Sequence, residues 1–160
     1  MSFNHFDAKG QAVMVDVSGK GPTMRIAVAG ATVKLKPETV SMILGGKAAK
    51  GDVLAVARLA GIAAAKKTPD LIPLSHPLAL QAVSVDFDPD QAAGSIRVKA
   101  SVKAFDRTGV EMEAMTAASV AALTVYDMCK GTDRGITIEE VALLSKEGGK
   151  SGSYRREGNK

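Results

Sequence analysis

Glu111, Glu113, Asp127 and Lys130 are charged residues in a segment, Gly109 to Lys130, that is otherwise mostly small and apolar. Charge on such a surface is costly unless it is paired or used. On a helix Asp127 and Lys130 are i, i+3 neighbours that can pair on one face. That spacing allows an exposed ion pair worth under ~1 kcal/mol, or a coupled acid and base for proton transfer. Glu113 precedes Asp127 by fourteen residues. At about 100° and 1.5 Å per residue both lie within about 40° of one face, roughly 21 Å apart along the axis. Side chains so separated cannot meet at one reacting atom. If both serve one site, a neighbouring subunit must supply one of them. Glu111 and Glu113 stand where strand is expected to give way to helix, and in extended chain they would share a face. Adjacent carboxylates raise each other's pKa, which suits acid/base work. The plainer alternatives are that Glu113 complements a helix N-terminus and that Glu111 is a solvated loop acid.

A second cluster is Leu71-Ile-Pro-Leu-Ser-His-Pro-Leu78. Its prolines stiffen a loop that holds His76 either against core backbone or toward a pocket. Ser75 and His76 are chain neighbours and do not make a nucleophile–base pair. His5, His76 and Cys129 lack metal-ligand spacing, so no metal or cofactor is expected. The cations Lys20, Arg25, Lys50, Lys146 and Lys150 fall in or beside glycine-containing stretches, where backbone amides are open to phosphate. Each alone also reads as a solvated surface residue. Gly148-Gly149-Lys150-Ser151 resembles the end of a P-loop but has Leu144 where that motif needs glycine. Asp16 interrupts the apolar run Met14 to Val17, as an edge or turn acid or as a site residue.

These groups need a scaffold. Arg25–Leu35 reads as a strand with a turn or bulge at Gly30, and Pro37 opens a helix stopped by Gly45-Gly46. A second helix follows Gly51-Asp52 and is ended by Pro69. Ala82–Phe87 and Ile96–Val102 alternate as a hairpin turning at Asp88-Pro89-Asp90 and Gly94. A long helix covers roughly Glu113–Lys130, and Ile136–Leu144 makes a last strand. The order predicts an α+β, ferredoxin-like βαββαβ fold, an antiparallel sheet with helices packed on one face. A single domain spanning 1–160 is expected, with flexible ends at about 1–11 and 148–160.

Composition narrows the class. Apolar residues are 46% and charged residues 24% of the 160, ordinary for a globular domain. No apolar run is long enough for a membrane span, the first residues lack a secretory pattern, and one cysteine allows no internal disulfide. A cytoplasmic protein is expected. Net charge is +4 and the pI about 9.2. Aromatics are only 4% and the lysines are dispersed, which suits a small polyphosphate and argues against nucleic acid.

As written, GVEMEAMTAASVAALTVYDMCK at 109–130 closely resembles a signature of the molybdenum cofactor biosynthesis protein C family, the cyclic pyranopterin monophosphate synthases. MVDVS at 14–18, KGDV at 50–53, AGIAAAK at 60–66, DLIPLSHPL at 70–78 and LLSKEGGKSG at 143–152 resemble the family's other motifs, in its order. The resemblance implies conversion of 3′,8-cyclo-7,8-dihydroguanosine triphosphate to cyclic pyranopterin monophosphate with release of pyrophosphate, a lyase reaction. By motif, Asp127 matches the catalytic aspartate, and Lys50, His76, Glu111, Glu113, Lys130 and Lys146 match residues around the pocket. Leu74, Ser75, His76, Met112 and Glu113 match substrate-contacting segments, and Asp16, Lys20 and Arg25 match an N-terminal segment that closes over the site. The resemblance also implies a homohexamer, a trimer of dimers with sites between subunits. One departure is Ser75, where many members carry cysteine, so an essential thiolate is not expected there. A non-catalytic nucleotide-binding module is the alternative reading, since the same lysines could hold a triphosphate without reaction.

Overall fold

The computed structural model describes residues 5–150 and 152–157. Its elements are β1 (Thr23–Lys34), α1 (Pro37–Leu44), α2 (Val53–Lys66), α3 (Thr68–Leu71), β2 (Leu80–Asp90), β3 (Ser95–Asp106), α4 (Glu111–Cys129), β4 (Thr137–Glu147) and β5 (Tyr154–Arg155). The sheet order is β2-β3-β1-β4-β5, every pair antiparallel. The four central strands with their two helical crossovers make the expected ferredoxin-like α+β arrangement. α2 and α4 pack together on one face of the sheet.

Alternation in β1 puts Ala27, Ala29, Ala31 and Val33 on the buried side, and β3 answers with Ile96, Val98, Ala100, Val102 and Ala104. Against them α4 lays Ala114, Ala117, Ala118, Ala121, Ala122 and Val125. Small side chains on both surfaces let backbones approach closely. At Gly61 of α2 a methyl group would stand 2.9 Å from the Ala117 carbonyl oxygen and 3.0 Å from Val85 Cγ2. α2 begins under a cap from Asp52, whose Oδ1 accepts the Ala55 amide at 3.0 Å.

Several boundaries differ from the sequence expectation. Glu111 and Met112 are helical, because α4 starts one residue after Val110. The two glutamates are therefore about 200° apart around a helix and do not share a face. The hairpin strands run longer, to Asp90 and from Ser95, so Asp88-Pro89-Asp90 is strand and the turn is 91–94. Pro69 opens the one-turn helix α3, as proline can in a first turn. The expected loose ends fall partly outside the described residues, which omit 1–4, 151 and 158–160. Within them Phe6 bridges Ala12, and Tyr154–Arg155 adds an edge strand to β4 that periodicity over two residues could not reveal.

The irregularity anticipated at Gly30 lies across from it, in β4. Register shifts fall between Val28 and Ala29 and between Gly30 and Thr32, and Glu140 takes φ 54°. Continued from Thr137↔Lys34 without shifts, Lys146 would oppose Arg25; with both shifts it opposes Ala27. Two single-residue shifts preserve its face, so Lys146 stays on the helix side of the sheet.

The Gly61 contact sets a testable sign. Alanine in place of glycine favours a helix by about 1 kcal/mol, yet here its methyl meets backbone. Gly61→Ala is expected to lower unfolding free energy by about 1–3 kcal/mol, read by urea denaturation; a more stable variant would show that α2 and α4 can separate freely.

Candidate active site

The site residues divide between the two ends of α4. At the N-terminal end, a cleft of about 300 Å³ is lined by Leu74, Ser75 and His76, by Glu111, Met112 and Glu113, and by Lys20. Val15, Val17, Thr108 and Gly109 complete much of its wall. His76 is half-buried and its Nε2 lies 2.8 Å from the Val15 carbonyl oxygen. As Nε2–H it donates there, which ties the 14–18 segment to the proline-stiffened loop. His76 thus faces the cleft, and the backbone it bonds belongs to the N-terminal segment and not to the core.

The two glutamates have different surroundings. Lys146 Nζ donates to Glu111 Oε1 at 2.9 Å, both side chains a little over one quarter exposed. Glu113 is 2% exposed and its Oε1 is buried without a hydrogen-bond partner. Burial pushes the Glu113 carboxyl above the usual carboxylate range; its own amide opposes the shift and the Glu111 charge adds to it. A buried acceptor left open is costly in a folded chain, and a ligand N–H or O–H in the cleft would satisfy it.

At the other end of α4, Lys130 Nζ donates to Asp127 Oδ1 at 2.6 Å. Lys50 Nζ donates to Asp127 Oδ2 at 3.3 Å and to the Asp127 carbonyl at 3.0 Å. The Asp127 carboxyl is held below its ordinary range chiefly by the Lys130 hydrogen bond, then by that of Lys50. Lys130 is raised by its bond to Asp127. All three side chains are more than half exposed, so the cluster lies open. None of the three lines the cleft that Glu113 borders, and the two acids stand roughly 21 Å apart along the helix axis.

The structure therefore gathers seven of the expected residues in one cleft, sets Lys146 against Glu111 beside it, and gathers Asp127, Lys130 and Lys50 elsewhere. Asp16 and Arg25 stand outside the cleft lining. The Asp16 carboxylate turns back on the Ser18 amide at 2.8 Å, and Arg25 Nη2 donates to the Arg107 carbonyl at 3.1 Å. Thr108 and Gly109 were not singled out from sequence as wall residues, though their place just before the charged helix was the available signal. A larger hollow of about 1180 Å³ covers the opposite sheet face; of the expected site residues only Lys146 borders it. No described helix is long and apolar enough to cross a membrane.

A ferredoxin-like domain here carries a carboxylate-lined cleft at one end of a helix and a lysine-flanked aspartate at the other, groups that suit an enzyme acting on a small molecule. The MoaC family model matches residues 14–149, and the chain belongs to that family. It is 71% identical over 157 residues to a protein of Geotalea uraniireducens, and 67% identical over 157 residues to one of Geobacter sulfurreducens. In each case the match covers 98% of both chains, and each relative is named cyclic pyranopterin monophosphate synthase.

The Glu113 environment predicts a pH signature. Its native pKa is raised, so the native state holds the proton over a pH range where the unfolded chain has released it. Stability is then lost as pH rises from the unfolded value near 4.3 through the native one. Glu113→Gln removes that loss: the variant should be more stable than wild type at pH 7, with the advantage fading toward pH 4. Urea denaturation at both pH values checks this, and a variant less stable at pH 7 contradicts it.

Proposed function

We propose that the chain is a cyclic pyranopterin monophosphate synthase. It would convert 3′,8-cyclo-7,8-dihydroguanosine triphosphate to the cyclic pyranopterin monophosphate, releasing pyrophosphate, as a lyase of molybdenum cofactor synthesis. The observation that carries the proposal is the Lys50–Asp127–Lys130 cluster, within a chain whose relatives at about two-thirds identity bear that enzyme's name.

The charges suit the reaction. Closing a cyclic phosphate joins a substrate hydroxyl oxygen to the α-phosphorus while the bond to pyrophosphate breaks. The hydroxyl proton must leave, and negative charge builds on the departing group. Opening and rebuilding the nitrogen ring requires further proton transfers. Asp127, kept ionised by its two lysines, is the acceptor of the cluster, and Lys130, kept charged by Asp127, is a donor. Lys50 and Lys146 assist proton transfer or hold phosphate. Glu111 and the open oxygen of Glu113 position the guanine-derived ring through its N–H edge. Leu74, Ser75, His76 and Met112 line the ring site, and Lys20 and Asp16 in the N-terminal segment close toward the phosphates; Arg25 belongs to β1, where its pairing with Ala104 and its bond to the Arg107 carbonyl hold it apart from that segment.

Because one straight helix separates the two groups, we assign each active site to two subunits, the cleft from one and the Asp127 cluster from the other. A symmetric dimer brings opposite helix ends together twice over, and a hexamer built from three such dimers is the proposed assembly. Asp127→Ala is expected to abolish pyrophosphate release from the cyclic triphosphate substrate while the oligomer stays intact by light scattering. Near-normal release from the variant would remove Asp127 from the chemistry, and binding without release by wild type would favour a non-catalytic nucleotide-binding module.

A further inference from the structure

Asp133 is a buried acid with no part in the chemistry above. It is 1% exposed, and its carboxylate serves three donors from two parts of the chain. Oδ2 accepts the Lys36 amide at 2.8 Å and the Thr39 hydroxyl at 3.1 Å. Oδ1 accepts the Gly135 amide at 3.1 Å. Lys36 stands at the N-cap of α1, where its side chain makes no capping bond. Asp133 supplies that cap from across the fold.

The same residue is fastened to the end of α4. Its amide donates to the Cys129 carbonyl at 3.0 Å, and the Thr132 hydroxyl reaches that carbonyl at 3.0 Å. The last turn of α4 carries Asp127, with Lys130 next after it. On the other side α1 leads into the loop that carries Lys50, which is itself braced by Lys47 amide to Met42 carbonyl and Gly51 amide to Ala48 carbonyl, each at 3.0 Å. Among the described residues, side-chain hydrogen bonds join residues 34–52 to residues 127–135 only through Asp133 and through the Lys50–Asp127 pair. One carboxylate closes this seam from within and the other closes it at the surface.

We propose that Asp133 is a positioning residue for the Lys50–Asp127–Lys130 cluster: by fixing the end of α4 against the start of α1, it sets where the Lys50 amine meets Asp127. Lys50 is a long, half-exposed side chain, so the placement of its amine depends on the backbone beneath it. A displacement of about 1 Å is enough to cost a reaction on the order of a hundredfold. A neutral side chain at 133 could still fill the space, but would not accept three donors with the strength of an anion.

The inference rests on the proposed reaction, so its test carries one readout with turnover and one without. Pyrophosphate release is measured for wild type, Asp133→Asn, Lys50→Ala and the double variant, well below their unfolding temperatures. Asp133→Asn should lower kcat about tenfold with KM changed by less than about threefold. In the Lys50→Ala background the same substitution should cost less than about twofold, because the residue it places is gone. Without substrate, labelling of amines followed by mass spectrometry should show Lys50 reacting severalfold faster in Asp133→Asn, with Lys67 unchanged. Thr39→Val, which removes one of the three donors, should move both readouts the same way by less and stands in if Asp133→Asn does not fold. An unchanged kcat, a fully additive loss, or an unchanged Lys50 labelling rate overturns the positioning role. Faster Lys50 labelling alongside a wild type that releases no pyrophosphate supports the positioning and overturns the reaction.

Discussion

A single rigid helix sets the terms for everything else in this molecule. α4 spans Glu111–Cys129 and is buried along its alanine face against β1, β3 and α2. Hydrogen bonding within it and packing around it hold its ends at a separation of roughly 21 Å between Glu113 and Asp127. Side-chain rotation spans only a few ångströms, so no rotamer change unites the two acids in one chain. The close contact at Gly61 shows how little slack the packing has. A chain that carries reactive groups at both ends of such a rod either runs two sites or completes one site with another copy of itself.

The electrostatics of the rod add to this picture. A helix favours anions at its N-terminus and cations at its C-terminus. Glu111 and Glu113 follow that preference in the first turn, and Lys130 follows it at the end. Asp127 does not: it is an acid in the last turn, against the dipole. Lys50 and Lys130 offset that unfavourable placement, and together they hold its carboxyl in the charged form. Both lysines are exposed, so a phosphate entering the cluster would compete with Asp127 for them. Glu113 presents the converse case, a carboxylate made hard to ionise by burial, with one oxygen open for a ligand donor.

Much of this was legible in the residues, for reasons that can be named. The alternation of Ala82–Phe87 and Ile96–Val102, the first-turn proline Pro37 and the N-cap Asp52 are local signals, and they point to the βαββαβ order. The separation of Glu113 from Asp127 is arithmetic on a helix and needed no tertiary contact. What the residues do not reveal is what no local signal marks or what depends on partners distant in sequence. The helix start at Val110 has no capping side chain, so nothing nearby marks Glu111 as helical. β5 exists only because Lys146 and Ser145 lie beside Tyr154 and Arg155. Asp133 caps a helix almost a hundred residues away, and no spacing rule links the two positions. His76 faces the cleft with its Nε2 on the Val15 carbonyl, a pairing across sixty-one positions that local spacing does not announce.

The central claim is that one active site draws Glu113 from one subunit and Asp127 from another, and mixed oligomers test it most directly. Glu113→Ala and Asp127→Ala chains, each inactive alone, are unfolded together, refolded in equal amounts and assayed for pyrophosphate release. Random pairing across a two-fold interface rebuilds up to about a quarter of the wild-type sites, so release should return to roughly that level. Mixed oligomers that assemble fully yet remain as inactive as either parent would show that each chain's site is its own.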